Sequence, residues 1–126
     1  MSGYHHLLER FWDCSNRRDW QGLQVLLSPE LHYRLPQTRE RLDSDQSLLE
    51  LFSTWPGDWE CKIEELVVDG VRGVTRIAFH PQRGKPEHEL GISFFRFEND
   101  VIAEIVEFWP VAYEPPQRLC QALRRY

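Results

Sequence analysis

Between residues 59 and 109 the chain is almost entirely strand-patterned, with long segments at 59–69, 72–80, 88–97 and 101–109. Asp69-Gly70 and Asn99-Asp100 are turn signals between neighbouring segments, and 81–87, which holds Gly84, is a longer hairpin loop. This run predicts an antiparallel meander. The first half reads differently. Tyr4, Leu7, Leu8, Phe11 and Trp12 recur at helical spacing, with Ser2 as the candidate cap. Asp19 is placed to cap a second short helix carrying Leu23, Leu26 and Leu27, which Ser28-Pro29 ends. Residues 31–35 alternate as a short strand stopped by Pro36. A third helix spans about 45–55, capped by Asp43 or Ser44, with Leu48, Leu51, Phe52 and Trp55 as its apolar stripe. Pro110 ends the last strand, and a short C-terminal helix is expected around Leu119 and Leu123. Helices first and a meander afterwards give an α+β fold. A length of 126 residues makes 1–126 a single domain.

Side chains alternate across a strand, so each segment divides into two faces. One set of faces collects Ile77, Phe79, Leu90, Ile92, Phe94 and Phe108, which are large and apolar. The other mixes small residues (Ala78, Gly91, Ser93 and Ala103) with Arg76, Glu107 and Trp109. Small residues under a helix layer leave space, and polar groups in that space need a reason to be there. That is the composition of a lined cavity with a few convergent polar groups. The bulky face then lies outside, where nothing left in the chain is large enough to cover it. A second copy is the expected cover, so a homodimer through the outer sheet face is predicted.

The formal charge of −5 argues against nucleic acid or an acidic membrane as partner. No apolar run is long enough for a membrane span, and no leader peptide is visible. The cysteines at 14, 61 and 120 are odd in number and show no CxxC spacing, which fits reduced thiols and a cytoplasmic location. Phosphate-binding glycine patterns are absent. His80 and His88 flank one hairpin without a third ligand nearby, so no metal and no cofactor is expected.

Several motifs together resemble the nuclear transport factor two-like superfamily, which includes ketosteroid isomerase and SnoaL-like polyketide cyclases. They are the opening helix, Arg18-Asp19-Trp20, the strand ending at Pro36, Phe94-Phe95-Arg96-Phe97 and the closing Glu107-Phe108-Trp109. The chain is most similar to a bacterial subgroup with Pro36-Gln37-Thr38-Arg39-Glu40, Pro56-Gly57-Asp58-Trp59, Trp109-Pro110 and Tyr113-Glu114-Pro115-Pro116. The resemblance implies a cone, in which a curved mixed sheet wraps the N-terminal helices around a central pocket, commonly as a dimer. It also implies what is missing. The tyrosine, aspartate base and oxyanion aspartic acid of ketosteroid isomerase fall on Phe11, Leu35 and Ser93. Phenylalanine donates no hydrogen bond and leucine takes no proton, so steroid isomerisation is not expected. The same alignment puts Arg76, Ala78, Ser93, Ile105, Glu107 and Trp109 on the pocket side.

Glu107, between Ile105 and Trp109, is the sharpest candidate for chemistry. Burial there raises a carboxyl toward the acid–base range, whereas an ion pair with Arg76 would lower it. Arg76 is the second candidate, as partner of Glu107 or as anchor for a ligand carboxylate or phosphate. Ser93 is suited to donating to a ligand oxygen, and Tyr33, Phe52, Trp55 and Trp109 to lining the pocket for a small apolar or aromatic molecule. Two readings stay open: a cofactor-independent acid–base enzyme, such as an isomerase, cyclase or hydrolase, and a non-catalytic ligand-binding or dimerisation module.

Overall fold

A computed structural model describes residues 3–126. Ser2, the expected first cap, lies outside the described residues. Three helices, α1 (Gly3–Arg17), α2 (Trp20–Gln24) and α3 (Asp45–Thr54), accompany six strands. The strands are β1 (Leu27–Leu35), β2 (Glu40–Leu42), β3 (Glu60–Asp69), β4 (Arg72–His80), β5 (Glu89–Glu98) and β6 (Val101–Phe108). They form one curved, unclosed sheet in the order β2-β1-β6-β5-β4-β3. Only β1 and β6 run parallel; every other neighbouring pair is antiparallel.

α1 buries Leu8, Phe11, Trp12, Cys14 and Ser15 along one face. Its end is set by Arg18, which takes the left-handed conformation at φ 59°. Asp19 then caps α2, its side chain accepting from the Gly22 N–H at 3.0 Å. That helix stops at Gln24, earlier than the leucine spacing implied. Leu27 instead pairs with Ile102 of β6, and the strand runs on through Ser28-Pro29 where the register shifts. A bulge is one of the few strand positions that tolerates proline. Ser44, not Asp43, caps α3, accepting from the Ser47 N–H at 3.1 Å. The β5–β6 turn has positive φ at both Asn99 and Asp100, as a two-residue hairpin of matching twist requires.

Strand pairing decides which faces turn inward. Ser93 lies opposite Thr75 on β4 and opposite Glu107 on β6, and Gly91 lies opposite Ile77. Directly paired residues share a face, so Thr75, Ile77 and Phe79 point toward the helices. This corrects the assignment of β4: Ile77 and Phe79 belong to the inner face, and Arg76 and Ala78 to the outer. β6 contains a further correction. A bulge between Arg96 and Phe97 in the pairing leaves Ala103 unpaired and turns Ile102 inward, fully buried opposite Phe97. Leu90, Ile92, Phe94 and Phe108 do lie on the outer face, where Phe94 is 46% exposed.

Beyond β6 no helix forms: 109–126 has no regular secondary structure. Leu119 and Leu123, expected on a C-terminal helix, are both exposed. A short helix with no surface to pack against is marginal in water.

Candidate functional site

Glu107, the penultimate residue of β6, enters the interior where strand alternation aims it between sheet and helices. Its side chain is 2% exposed. Tyr33 donates its hydroxyl to Oε1 at 2.5 Å, Ser93 donates to Oε2 at 2.7 Å, and the Trp109 indole N–H donates to Oε1 at 3.2 Å. None of these partners is charged. Burial pushes the Glu107 carboxyl above its ordinary value, and the three hydrogen bonds pull it down without reversing the shift. The Tyr33 hydroxyl is held well above its usual value, by burial first and by the neighbouring carboxylate second, so it stays a donor.

Around this carboxyl the aromatic side chains close into a belt. Tyr33 meets Phe52 with ring centroids 6.5 Å apart, and Phe52 meets Trp59 at 6.4 Å. Trp59 meets Phe79 at 6.0 Å, and Phe79 meets Trp109 at 5.6 Å. Trp109 and Tyr33 both end on Glu107, which closes the ring. Three of the four ring contacts are edge-to-face, the favourable geometry for aromatic quadrupoles. All five rings and Glu107 face a cavity of about 940 Å3.

Small residues make this arrangement possible. A Cβ at Gly91 would lie 2.7 Å from two ring carbons of Trp109, so only glycine leaves room for the indole. At the mouth, the Gln37 side-chain oxygen accepts from the Trp109 backbone N–H at 2.5 Å, tying the β1–β2 loop to the end of β6. Thr38 donates to Glu40 at 2.6 Å, and both line the cavity.

The sequence candidates divide clearly. Glu107, Tyr33, Ser93 and Trp109 come together in one hydrogen-bonded group. Phe52 joins the belt, and Trp55 is 53% exposed at the rim. Arg76 does not join them. It lies on the opposite face of the sheet, 3.4 Å from Glu64 and 3.8 Å from Glu65. The expected Arg76–Glu107 pair is therefore corrected: the carboxyl has no guanidinium beside it. Trp59, Phe79 and Cys61 also line the cavity without having been singled out as site residues. Burial raises the Cys61 thiol well above its ordinary value, so it is a neutral wall group. His80 and His88 do meet, with ring centroids 5.2 Å apart, and each Nδ1 bonds a carbonyl of its own loop. Among the described residues no three metal-ligating side chains cluster.

A sequence profile of the SnoaL-like domain matches residues 8–105. The chain belongs to the SnoaL-like family. Within the wider NTF2-like superfamily, this SnoaL-like chain superposes on a provisionally assigned ketosteroid isomerase from Kribbella flavida DSM 17836 with a TM-score of 0.87. The two are 28% identical, over 97% of this chain and 88% of that one. An LEH-like epoxide hydrolase of M. tuberculosis gives a TM-score of 0.70 at 15% identity, over 84% of this chain and 81% of the other. A provisionally assigned polyketide cyclase from Sinorhizobium meliloti gives 0.69 at 14% identity, over 81% and 93%. At such identities the last two share the fold and nothing finer. No curated protein matches the sequence. In this family member no helix among the described residues is long and apolar enough to cross a membrane.

Proposed function

We propose that this SnoaL-like protein binds a small, largely apolar molecule in its aromatic cavity and uses Glu107 as a cofactor-independent acid–base group, in an isomerase, cyclase or hydrolase type of reaction. One observation carries the reading. Glu107 is a buried carboxyl on an apolar cavity wall, raised in proton affinity and without a cation beside it. A carboxyl in that state accepts and returns a proton nearer neutral pH than an exposed one. Tyr33 supports the same role, because its hydroxyl donates to the Glu107 carboxyl and its side chain lines the cavity. The family resemblance puts Leu35 and Phe11 where a steroid isomerase needs its base and its tyrosine, so a steroid isomerase is not the reading. The three free cysteines fit a cytoplasmic protein. The outer face around Phe94 fits a second copy of the chain.

A second reading rests on the same carboxyl. Both Glu107 oxygens already receive protein donors, as they also would in a purely binding or dimerising module. Proton exchange separates the two. With 1-tetralone as a carbon-acid probe in D2O, the wild type should speed loss of the α-proton signal, and Glu107→Gln should not. A wild-type protein that binds the probe yet leaves exchange at the buffer rate would establish the binding module.

A further inference from the structure

The strand register sorts the charged side chains around the cavity. Glu40 stands opposite Leu35, two places along β1 from Tyr33, and so shares the inner face with it. Glu89 stands opposite Phe79 of the aromatic belt, and Glu107 opposite Ser93. Three strands thus bring one carboxyl each to the inner face, and all three line the cavity. Arg41 is the one basic residue of the lining. It stands opposite Arg34, the alternate position, which turns its side chain to the outer face, and its Nε lies 3.4 Å from Asp43.

No other protein cation balances these carboxyls. The Arg18 guanidinium stacks over Trp59 at 3.8 Å, but Arg18 and Arg83 are outside the lining and lie 4.0 Å and 3.4 Å from Asp58. Among the described residues no ion pair takes up Glu40 or Glu89, and Glu40 accepts from the neutral Thr38 hydroxyl. The Glu40 charge is felt inside: after burial and Glu107, it helps to hold the Tyr33 hydroxyl above its usual value. Burial favours the neutral form of Glu107, so the exposed Glu40 and Glu89 supply the standing charge. An anion would be repelled from this space. A cation would meet carboxylates and aromatic rings, the two kinds of neighbour that attract one.

We infer that the cavity selects a cationic ligand, an apolar body carrying one ammonium nitrogen, with Glu40, Glu89 and Glu107 as its counter-charges and the aromatic belt as its wall. The inference rests on the reading of the cavity as a ligand site and adds the charge that the ligand carries. The apolar body follows from the belt, which offers rings and few donors. The single positive charge follows from the register, which gathers carboxyls on the inner face and turns Arg41 away from it.

The test compares two probes of equal shape, phenyltrimethylammonium and tert-butylbenzene, which differ by a cationic nitrogen in place of a quaternary carbon. Binding is followed by 1H–15N spectra of the whole protein. The wild type should bind the cation about five-fold more tightly or better, and added salt should weaken the cation alone. The double variant Glu40→Gln, Glu89→Gln should lose most of that preference while keeping its affinity for the hydrocarbon. Both residues are exposed, so the fold should tolerate the change. The wild-type Glu107 carboxyl gives a second readout. Adding the cation should lower its titration midpoint, and adding the hydrocarbon should not. Equal or tighter binding of the hydrocarbon by the wild type would overturn the inference and leave the cavity reading standing. So would a preference for the cation that survives undiminished in the double variant. Failure of both probes to bind at all would overturn the cavity reading together with the inference.

Discussion

Tyr33 and Glu107 meet across the sheet's single parallel strand pair, their side chains joined at 2.5 Å although 74 residues separate them. Tyr33 stands opposite Ile105 in the register, so its hydroxyl reaches one side-chain position further along β6. The contact therefore depends on the β1–β6 pairing as a whole. It also decides the character of the carboxyl: a neutral donor stabilises the charge in part, where a guanidinium would have neutralised it.

Replacing Tyr33 by Phe should remove that donor and leave the ring in place. Where Glu107 is ionised the hydrogen bond is to a charged group, and the expected loss of stability is then about 1.5–3 kcal/mol. The loss should shrink in acid, where Glu107 is protonated. Urea denaturation at pH 7 and near pH 4 measures both, and a loss independent of pH would contradict the assignment.

Gly91 should not tolerate a side chain. The added methyl of Gly91→Ala would press on Trp109 at 2.7 Å and on Ile77 at 3.2 Å. The expected cost is about 1–3 kcal/mol, as for other overpacked cores. The Trp109 indole should also move off Glu107, which the chemical shift of its N–H reports. Unchanged stability together with an unchanged shift would mean that the ring moves aside freely.

The outer face should associate. Phe94 stands edge-on to Phe108 at 6.1 Å in a half-exposed apolar patch that also includes Leu90 and Ile92. Sedimentation at micromolar concentration should find a dimer for the wild type and a monomer for Phe94→Asp. A monomeric wild type would contradict the expectation.

Much of this architecture is written locally. The four long strands announce themselves by length, alternation and the turn residues between them. Glu107 stands out because an acidic residue between Ile105 and Trp109 on an apolar strand has few bland explanations. Other features depend on distant partners. Alternation divides β4 into two sets of residues but does not say which set turns inward, and either set is apolar enough to pass. Register settles it, by placing Ile77 against Gly91, and with it the fate of Arg76. The bulge that turns Ile102 inward has no mark in the sequence. Trp59 follows the turn residues Pro56-Gly57-Asp58, and its place in the belt depends on Arg18, held 41 residues away by a left-handed backbone. The C-terminal leucines carry a helical spacing with nothing to pack against.

Glu107 should also set a pH dependence of stability. Its carboxyl is raised in the folded state, so the fold holds this proton more strongly than the unfolded chain does. The stability that follows is fully present below the unfolded carboxyl value, near pH 4, and is lost as pH rises through the folded value. Glutamine at 107 does not titrate. The stability of the wild type relative to Glu107→Gln should therefore fall as pH is raised from about 4 toward neutrality. A difference that stays flat, or grows with pH, would contradict the direction of the shift.

The most direct measurement is the titration of the carboxyl itself. With 13C-labelled glutamate side chains, one carboxyl resonance should titrate above all the others and should be missing from the spectrum of Glu107→Gln. Tyr33→Phe should move its midpoint higher still, because a donor that favours the charged form is gone. A Glu107 midpoint at or below that of the exposed glutamates would contradict the account, since an ordinary structural carboxylate would then occupy the cavity wall.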